Sequence, residues 1–223
     1  MKHIKTLLSG ILLSACIITL AGCKGGAESY LNKGNEYYNQ GDYSTARSYF
    51  LKADESSGGN NPVCQLKIGN CYVNEEDYEQ AVVWFRKAAE QGNADAQAQL
   101  GALYYDGIHV AEDKEAAVNW YSKAAEQGNA KAQFLLGESY FFGDGIAEDK
   151  EAAFNWYSKA AEAELEDGGL FTLYAQTKLR YCYRNGVGVA EDEEMAAYWE
   201  DKAAKTADLL NKYDNKIHSG EDR

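Results

Sequence analysis

A single spacing of small, large and polar residues is written five times between about residue 27 and residue 207. A small residue is followed three positions later by Tyr at Gly34/Tyr37, Gly69/Tyr72, Gly101/Tyr104 and Gly137/Tyr140, and Arg180/Tyr183 repeats the pattern with Arg in the small position. Downstream of each pair, Ala recurs at an interval of seven: Ala46 and Ala53, Ala81 and Ala88, Ala117 and Ala124, Ala153 and Ala160, Ala196 and Ala203. Spacings of three, four and seven put side chains on one face of an α-helix. The pattern therefore predicts five helical hairpins. Small side chains let antiparallel helices approach to about 8–10 Å, and Phe50, Phe85, Tyr121 and Tyr157 are placed to fill the groove toward the next hairpin. One hairpin cannot bury its own apolar stripe, so the hairpins must stack. Trp84, Trp120 and Trp156 mark the period at 36 residues, and Trp199 follows after 43.

The turns divide the repeats into two kinds. The first two hairpins turn briefly, through Gly41-Asp42 and Asn74-Glu75-Glu76-Asp77, and Asp77 with Gln80 reads as a capping box. In the next three, the distance from Tyr to the following capping Asp grows from five residues to nine: Tyr104 to Asp113, Tyr140 to Asp149, Tyr183 to Asp192. These turns carry Gly107, Gly143 with Gly145, and Gly186 with Gly188, and each ends in Ala-Glu-Asp. Glu115, Glu151 and Glu194 suit the positive start of a helix. Residues 27–92 resemble two tetratricopeptide repeats (TPR). Residues 93–207, with their long turns and the run Trp-Tyr-Ser-Lys-Ala-Ala-Glu, resemble three Sel-one-like repeats, a related family. The resemblance implies an all-α fold, a right-handed α-α superhelix of about five hairpins. About seven extra residues near Leu165–Phe171 are expected to precede the first helix of the fifth hairpin. Residues 208–223 are expected to hold a capping helix, with a disordered tail from His218.

The first 22 residues read as an export signal. Lys2, His3 and Lys5 precede an apolar run from Leu7 to Ala21, which is short for a membrane span of about 20 residues. Leu20-Ala21-Gly22-Cys23 resembles a bacterial lipobox, which implies cleavage before Cys23 and lipidation of its sulfur and new amino group. Residues 23–26 would then be a lipidated Cys and short tether, and the body would stay near the membrane. The expected place is the cell envelope. In a two-membrane bacterium Lys24 resembles outer-membrane sorting, facing the periplasm; otherwise the anchor lies in the outer face of the plasma membrane.

Charge narrows the partners. The formal net charge is −13, and it becomes −15 once Lys2 and Lys5 leave with the signal. A nucleic-acid partner needs a basic footprint and is not expected; a basic protein or peptide is. Chemistry is sparse. His109 and His218 have no ligand spacing around them, so no metal site is expected. No Lys-Ser/Thr follows Gly143-Asp144-Gly145, so no phosphate loop is expected either. Cys64 and Cys71 lie seven apart on one helix, about 10.5 Å in rise, too far for a bridge. With Cys182 they read as small buried residues. Some cysteine-rich Sel-one-like relatives are linked to β-lactam chemistry, but this chain lacks their paired cysteines and contains no Ser-x-x-Lys. The expected function is noncatalytic and needs no cofactor: an adaptor or scaffold for a protein or peptide. The alternatives are a cell-wall or β-lactam-related enzyme, or a passive spacer or assembly factor.

The TPR resemblance implies that the inner face is lined by first-helix positions one and four after the small residue. These are Asn35 and Tyr38, Asn70 and Val73, Ala102 and Tyr105, Glu138 and Phe141, Tyr181 and Arg184. Asn35 and Asn70 resemble the asparagines with which TPR domains hold a peptide backbone, since a carboxamide both donates and accepts. Phe134, Phe141 and Phe142 add an apolar cluster. The expected partner contacts are Asn35, Tyr38, Asn70, Tyr105, Phe134, Glu138, Phe141 and Tyr181.

Overall fold

A computed structural model describes residues 26–163 and 165–219, with side-chain surroundings given for 26–163 and 169–212. The signal, Cys23 and residues 220–223 lie outside the described residues. All regular structure among those described is helical. The chain divides into two compact units at Asn93/Ala94.

The first unit contains α1 (26–39), α2 (Tyr43–Ser56), α3 (Pro62–Asn74) and α4 (Tyr78–Glu90). Gly26, the last residue of the expected tether, is helical in α1. One core cluster of this unit is Ala46, Phe50, Ile68 and Cys71, with Tyr37, Tyr72 and Trp84 against it. The second unit contains α5 (Ala94–Asp106), α6 (Lys114–Glu126), α7 (Ala130–Phe142), α8 (Lys150–Ala161), α9 (Leu165–Asn185) and α10 (Glu193–Ser219).

The small-plus-aromatic rule holds as an interlock in four hairpins. A Cβ added to Gly34, Gly69, Gly101 or Gly137 would lie 2.4, 2.5, 2.6 or 2.7 Å from the ring of Phe50, Phe85, Tyr121 or Tyr157. Each ring thus rests directly on the opposing backbone, and all four aromatics are almost fully buried. Full burial of such a side chain contributes about 1.5–3 kcal/mol. In the fifth hairpin both partners change. Arg180 stands in the glycine position and Glu200 in the aromatic position, and they form an ion pair at 3.1 Å, with Arg184 joining Glu200 at 3.2 Å.

The caps follow the sequence. Asp42, Asp77, Asn129, Asp113, Asp149 and Asp192 accept from the backbone N–H three residues on, at 2.8–3.2 Å. The long turns have a specific use. Gly145 (φ +70°) and Gly188 (φ +71°) lie so close to the start of the preceding second helix that a Cβ would meet the carbonyl oxygens of Lys114 and Lys150 at 2.2 and 2.0 Å. His109 holds the same turn position after α5, also left-handed at φ +55°.

A second regularity is polar. Gln65, Gln97, Gln133 and Gln176 occupy one first-helix position and are all buried. Gln65 accepts from Gln91 at 2.6 Å and Gln97 from Gln127 at 2.8 Å. Gln133 and Gln176 each donate, at 3.2 Å, to the carbonyl of Ala125 or Ala161 at the end of the preceding helix. The last two bonds engage carbonyls in the final turn of a helix, where intrahelical partners run out. The recurring Trp-x-x-Lys places an ammonium over each indole: Lys87 on Trp84 and Lys123 on Trp120 at 4.1 Å, Lys159 on Trp156 at 3.8 Å, Lys202 on Trp199 at 4.6 Å.

Two sequence expectations change at the C-terminal end. The extra residues near Leu165–Phe171 do not precede the helix; they are its first two turns, so α9 runs for 21 residues. Leu210 of α10 covers Gly169, where an added Cβ would lie 2.5 Å from it, and Phe171 packs on Phe134 at 6.0 Å. This packing outweighs the low helix propensity of glycine. The expected tail from His218 is also corrected, because α10 continues through Ser219 as a 27-residue helix. No Gly or Pro interrupts that run before Gly220.

Candidate functional site

Long α9 carries an exposed stripe beside the end of α7. Leu170, Tyr174, Thr177 and Tyr181 follow one another at i, i+4, i+7 and i+11, which is one helical face. Phe142 at the end of α7 is 58% exposed and Tyr181 46% exposed, with Leu170 and Tyr174 similarly open. Phe141 joins them edge to face, with ring centroids 4.9 Å from Phe142 and 6.3 Å from Tyr181. Phe141, Thr177, Lys178, Arg180 and Tyr181 border a shallow cleft of about 320 Å³.

Beneath these rings lies a fixed charge pair. Lys178 bonds Glu138 at 2.7 Å and stands 5.2 and 5.5 Å from the Phe141 and Phe142 ring centres. Lys150 stacks on Phe141 at 4.0 Å and donates to the Phe141 carbonyl. The hydroxyl of buried Tyr157 donates to Glu138; burial first, and this bond second, push the Tyr157 hydroxyl well above the ordinary phenol value. The arrangement holds apolar rings open to solvent over neutralised charge. It suits binding, and Glu138 is already occupied by two partners.

The structure distributes the expected contacts unevenly. Phe141 and Tyr181 meet at this face, and Glu138 supports it from below. Phe134 is corrected: it is a core residue, 9% exposed, covered by Tyr157, Phe171 and Tyr174. The reason is the extension of α9, whose added turns lie over it. Tyr105 is tied down, its hydroxyl donating to Asp144 at 2.7 Å while Lys114 bonds the other oxygen at 2.7 Å. Those two bonds, Lys114 first, hold Asp144 below the usual aspartate range. A carboxylate with a lowered folded pKa stabilises above its unfolded value and loses that contribution as pH falls through the folded one. This contact therefore weakens in acid.

In the first unit, Asn74 links two expected residues by donating to the Tyr38 hydroxyl and the Asn70 carbonyl, both at 2.8 Å. No hydrogen bond among the described residues uses the side-chain amides of Asn35 or Asn70. The sequence reading missed Leu170, Tyr174 and Lys178. Their heptad-like spacing with Tyr181 was a usable signal, obscured by treating residues 165–171 as an insertion. Cys64, Cys71 and Cys182 are buried free thiols, each pushed up to about 11 chiefly by burial. Such thiols are poor nucleophiles. Among the described residues, no helix is long and apolar enough to cross a membrane, and no three His, Cys, Asp or Glu side chains gather as a metal set.

Comparison with known proteins gives the family. The Sel1 repeat model matches residues 62–93, 94–129, 130–165 and 173–205, and a tetratricopeptide repeat model matches 27–60. The second hairpin, read from its short turn as TPR-like, is thus matched as a Sel1 repeat. No curated protein sequence matches the chain. Among solved structures, a Sel1 repeat protein from Oxalobacter formigenes is 31% identical, with TM-score 0.68, over 79% of this chain and 69% of that one. The protective antigen c5321 of uropathogenic Escherichia coli, which displays an SLR fold, is 29% identical with TM-score 0.58. There the match covers 84% of this chain but only 48% of that one. A putative Sel1 repeat protein from Klebsiella pneumoniae shares the fold at 19% identity, with TM-score 0.53, over 87% and 95% of the two chains. These repeats commonly serve protein–protein interaction, and the matches indicate no catalytic family. With four matched repeats spanning most of its length, the chain belongs to the Sel1 repeat family.

Proposed function

We propose that this protein is a lipid-anchored adaptor of the bacterial cell envelope, holding a partner polypeptide on the aromatic face of α7 and α9 and performing no reaction. The observation that carries the reading is the group of open rings, Phe142, Tyr174 and Tyr181, at the end of a Sel1 array. Exposed aromatic clusters of this kind are the surfaces through which proteins meet. Charge neutralised beneath the rings leaves apolar contact as the main attraction. Binding of the partner at this face is therefore expected to resist salt. Changing Phe142 and Tyr181 together to Ala removes two exposed side chains with little effect on the core. Crosslinking in living cells is expected to recover the partner with the parent chain and to lose at least about nine-tenths of it with this variant. Equal recovery from a variant with an unchanged helical melt removes the face from consideration.

The anchor is carried by Leu20-Ala21-Gly22-Cys23. Each buried acyl methylene contributes about 0.8 kcal/mol, so two or three chains hold a protein firmly. Residue 26 is already helical, and the three residue steps from Cys23 to it reach at most about 10 Å, which keeps the repeats at the bilayer surface. Cys23→Ser is expected to abolish incorporation of labelled palmitate and release the protein from membranes. Label retained by the Ser variant argues against lipidation at Cys23.

A further inference from the structure

The repeats serve as their own control, and one buried position departs from the rule. Twelve residues after the capping Asp of the second, third and fourth hairpins stands a buried alanine: Ala89 after Asp77, Ala125 after Asp113, Ala161 after Asp149. After Asp42 the residue is Asp54, only 6% exposed. The connection that follows is also longer. Five residues, Ser57 to Asn61, join α2 to α3, where three suffice between α6 and α7. Gly58 and Gly59 make this possible with φ of +88° and +73°. The result is a cleft of about 360 Å³ within the first unit, bordered by Asp54, Gly59, Gln65, Trp84, Lys87 and Glu90 among others.

Asp54 is only half used by the protein. Its Oδ1 accepts the Asn61 N–H at 2.7 Å, which fixes the carboxylate, while Oδ2 accepts no hydrogen bond among the described residues. Oδ2 is thereby left as an open acceptor on the cleft wall, where a cationic N–H donor can reach it. Its charge is felt locally, since it is the second cause, after burial, of the raised Cys64 thiol. Around it the cleft offers acceptors. The Gly59 carbonyl accepts only a long 3.5 Å bond from Gln65, and Glu90 adds a second carboxylate. Lys87 is the opposing charge, held over Trp84 at 4.1 Å, so Asp54, Glu90 and Lys87 leave one net negative charge.

We propose that this cleft receives a guanidinium group, presented by an arginine side chain of a partner polypeptide. The acceptors are spread around the wall rather than gathered at a point. A planar fork with five N–H donors spans them, and it sheds water more readily than an ammonium. The acidic surface draws such a partner in. The site is separate from the aromatic face of α7 and α9 and stands or falls independently of it.

The test titrates the intact protein with the peptide acetyl-Gly-Arg-Gly-amide, read by calorimetry and by the side-chain amide signals of Gln65 and Gln91. Saturable binding that moves both signals is expected, and Asp54→Asn should weaken it by about tenfold. The Asn amide oxygen can still accept the Asn61 N–H, so the fold should persist. Asp54→Ala, which copies the residue of the other hairpins, provides a second check with the same expected loss. The citrulline peptide, of the same shape without the charge, should not bind. Unchanged affinity in Asp54→Asn, or equal binding of the citrulline peptide, overturns the proposal. Agmatine binding as tightly as the peptide would overturn the assignment to a polypeptide side chain. The Phe142→Ala/Tyr181→Ala protein should bind the peptide normally, and a loss there would place it on the aromatic face instead.

Discussion

Gly188→Ala is expected to destabilise the second unit by about 3–5 kcal/mol, and Gly145→Ala by nearly as much. Two separate costs combine. The residue at φ +71° pays for a Cβ in the left-handed region, about 1–2 kcal/mol. The same Cβ would then stand 2.0 Å from the Lys150 carbonyl oxygen, and that atom belongs to the first turn of α8 and cannot step aside as a side-chain tip would. The turn must back away, which breaks its seat on the preceding hairpin. Gly128→Ala separates the two costs, because Gly128 has φ +91° and open space around its Cβ position. It should lose only the backbone part. Urea titration followed by circular dichroism at 222 nm measures all three. Equal midpoints for Gly188→Ala and Gly128→Ala would show that the close approach is inconsequential.

Tyr157→Ala is expected to cost about 3–5 kcal/mol, the range for emptying a large aromatic site in a core. Tyr157 is completely buried and lies on the Gly137 backbone, with Phe134 and Phe141 at 5.9 and 6.4 Å. Its loss leaves a hollow that rigid helices cannot fill, and it also removes the support under Phe141. Partner recovery should therefore fall along with stability. Tyr157→Phe keeps the ring and removes only the bond to Glu138, which retains Lys178. That change should cost about 1 kcal/mol and leave recovery intact. A Phe variant as damaged as the Ala variant would mean that the hydroxyl, and not the ring volume, holds this hairpin together.

The hairpins were legible in the sequence because their signals are local. A capping Asp, a glycine and an aromatic eight residues beyond the cap meet within one hairpin, so spacing alone identifies them. Exposure was less legible, because it depends on what the next hairpin brings. Phe134 looked like part of an open cluster until α9 was found to begin at Leu165 and cover it. Tyr105 occupies a lining position by register, yet Asp144 from the following turn claims its hydroxyl. The exchange of glycine and aromatic for Arg180 and Glu200 was half visible: Arg180 stood out as a departure, but its partner appeared only when α9 and α10 were placed side by side. Asp54 was overlooked for a different reason. A lone acid among many draws no notice until burial separates it from the rest.

The recurring glutamines imply that the chain is assembled from cassettes. Gln133 meets the Ala125 carbonyl just as Gln176 meets that of Ala161, at the same 3.2 Å. Excising one cassette would leave Gln176 the Ala125 carbonyl as the same kind of acceptor, and duplicating one would simply repeat the bond. Length can thus drift by whole hairpins through gene duplication or loss while this one hydrogen bond is kept at the new junction.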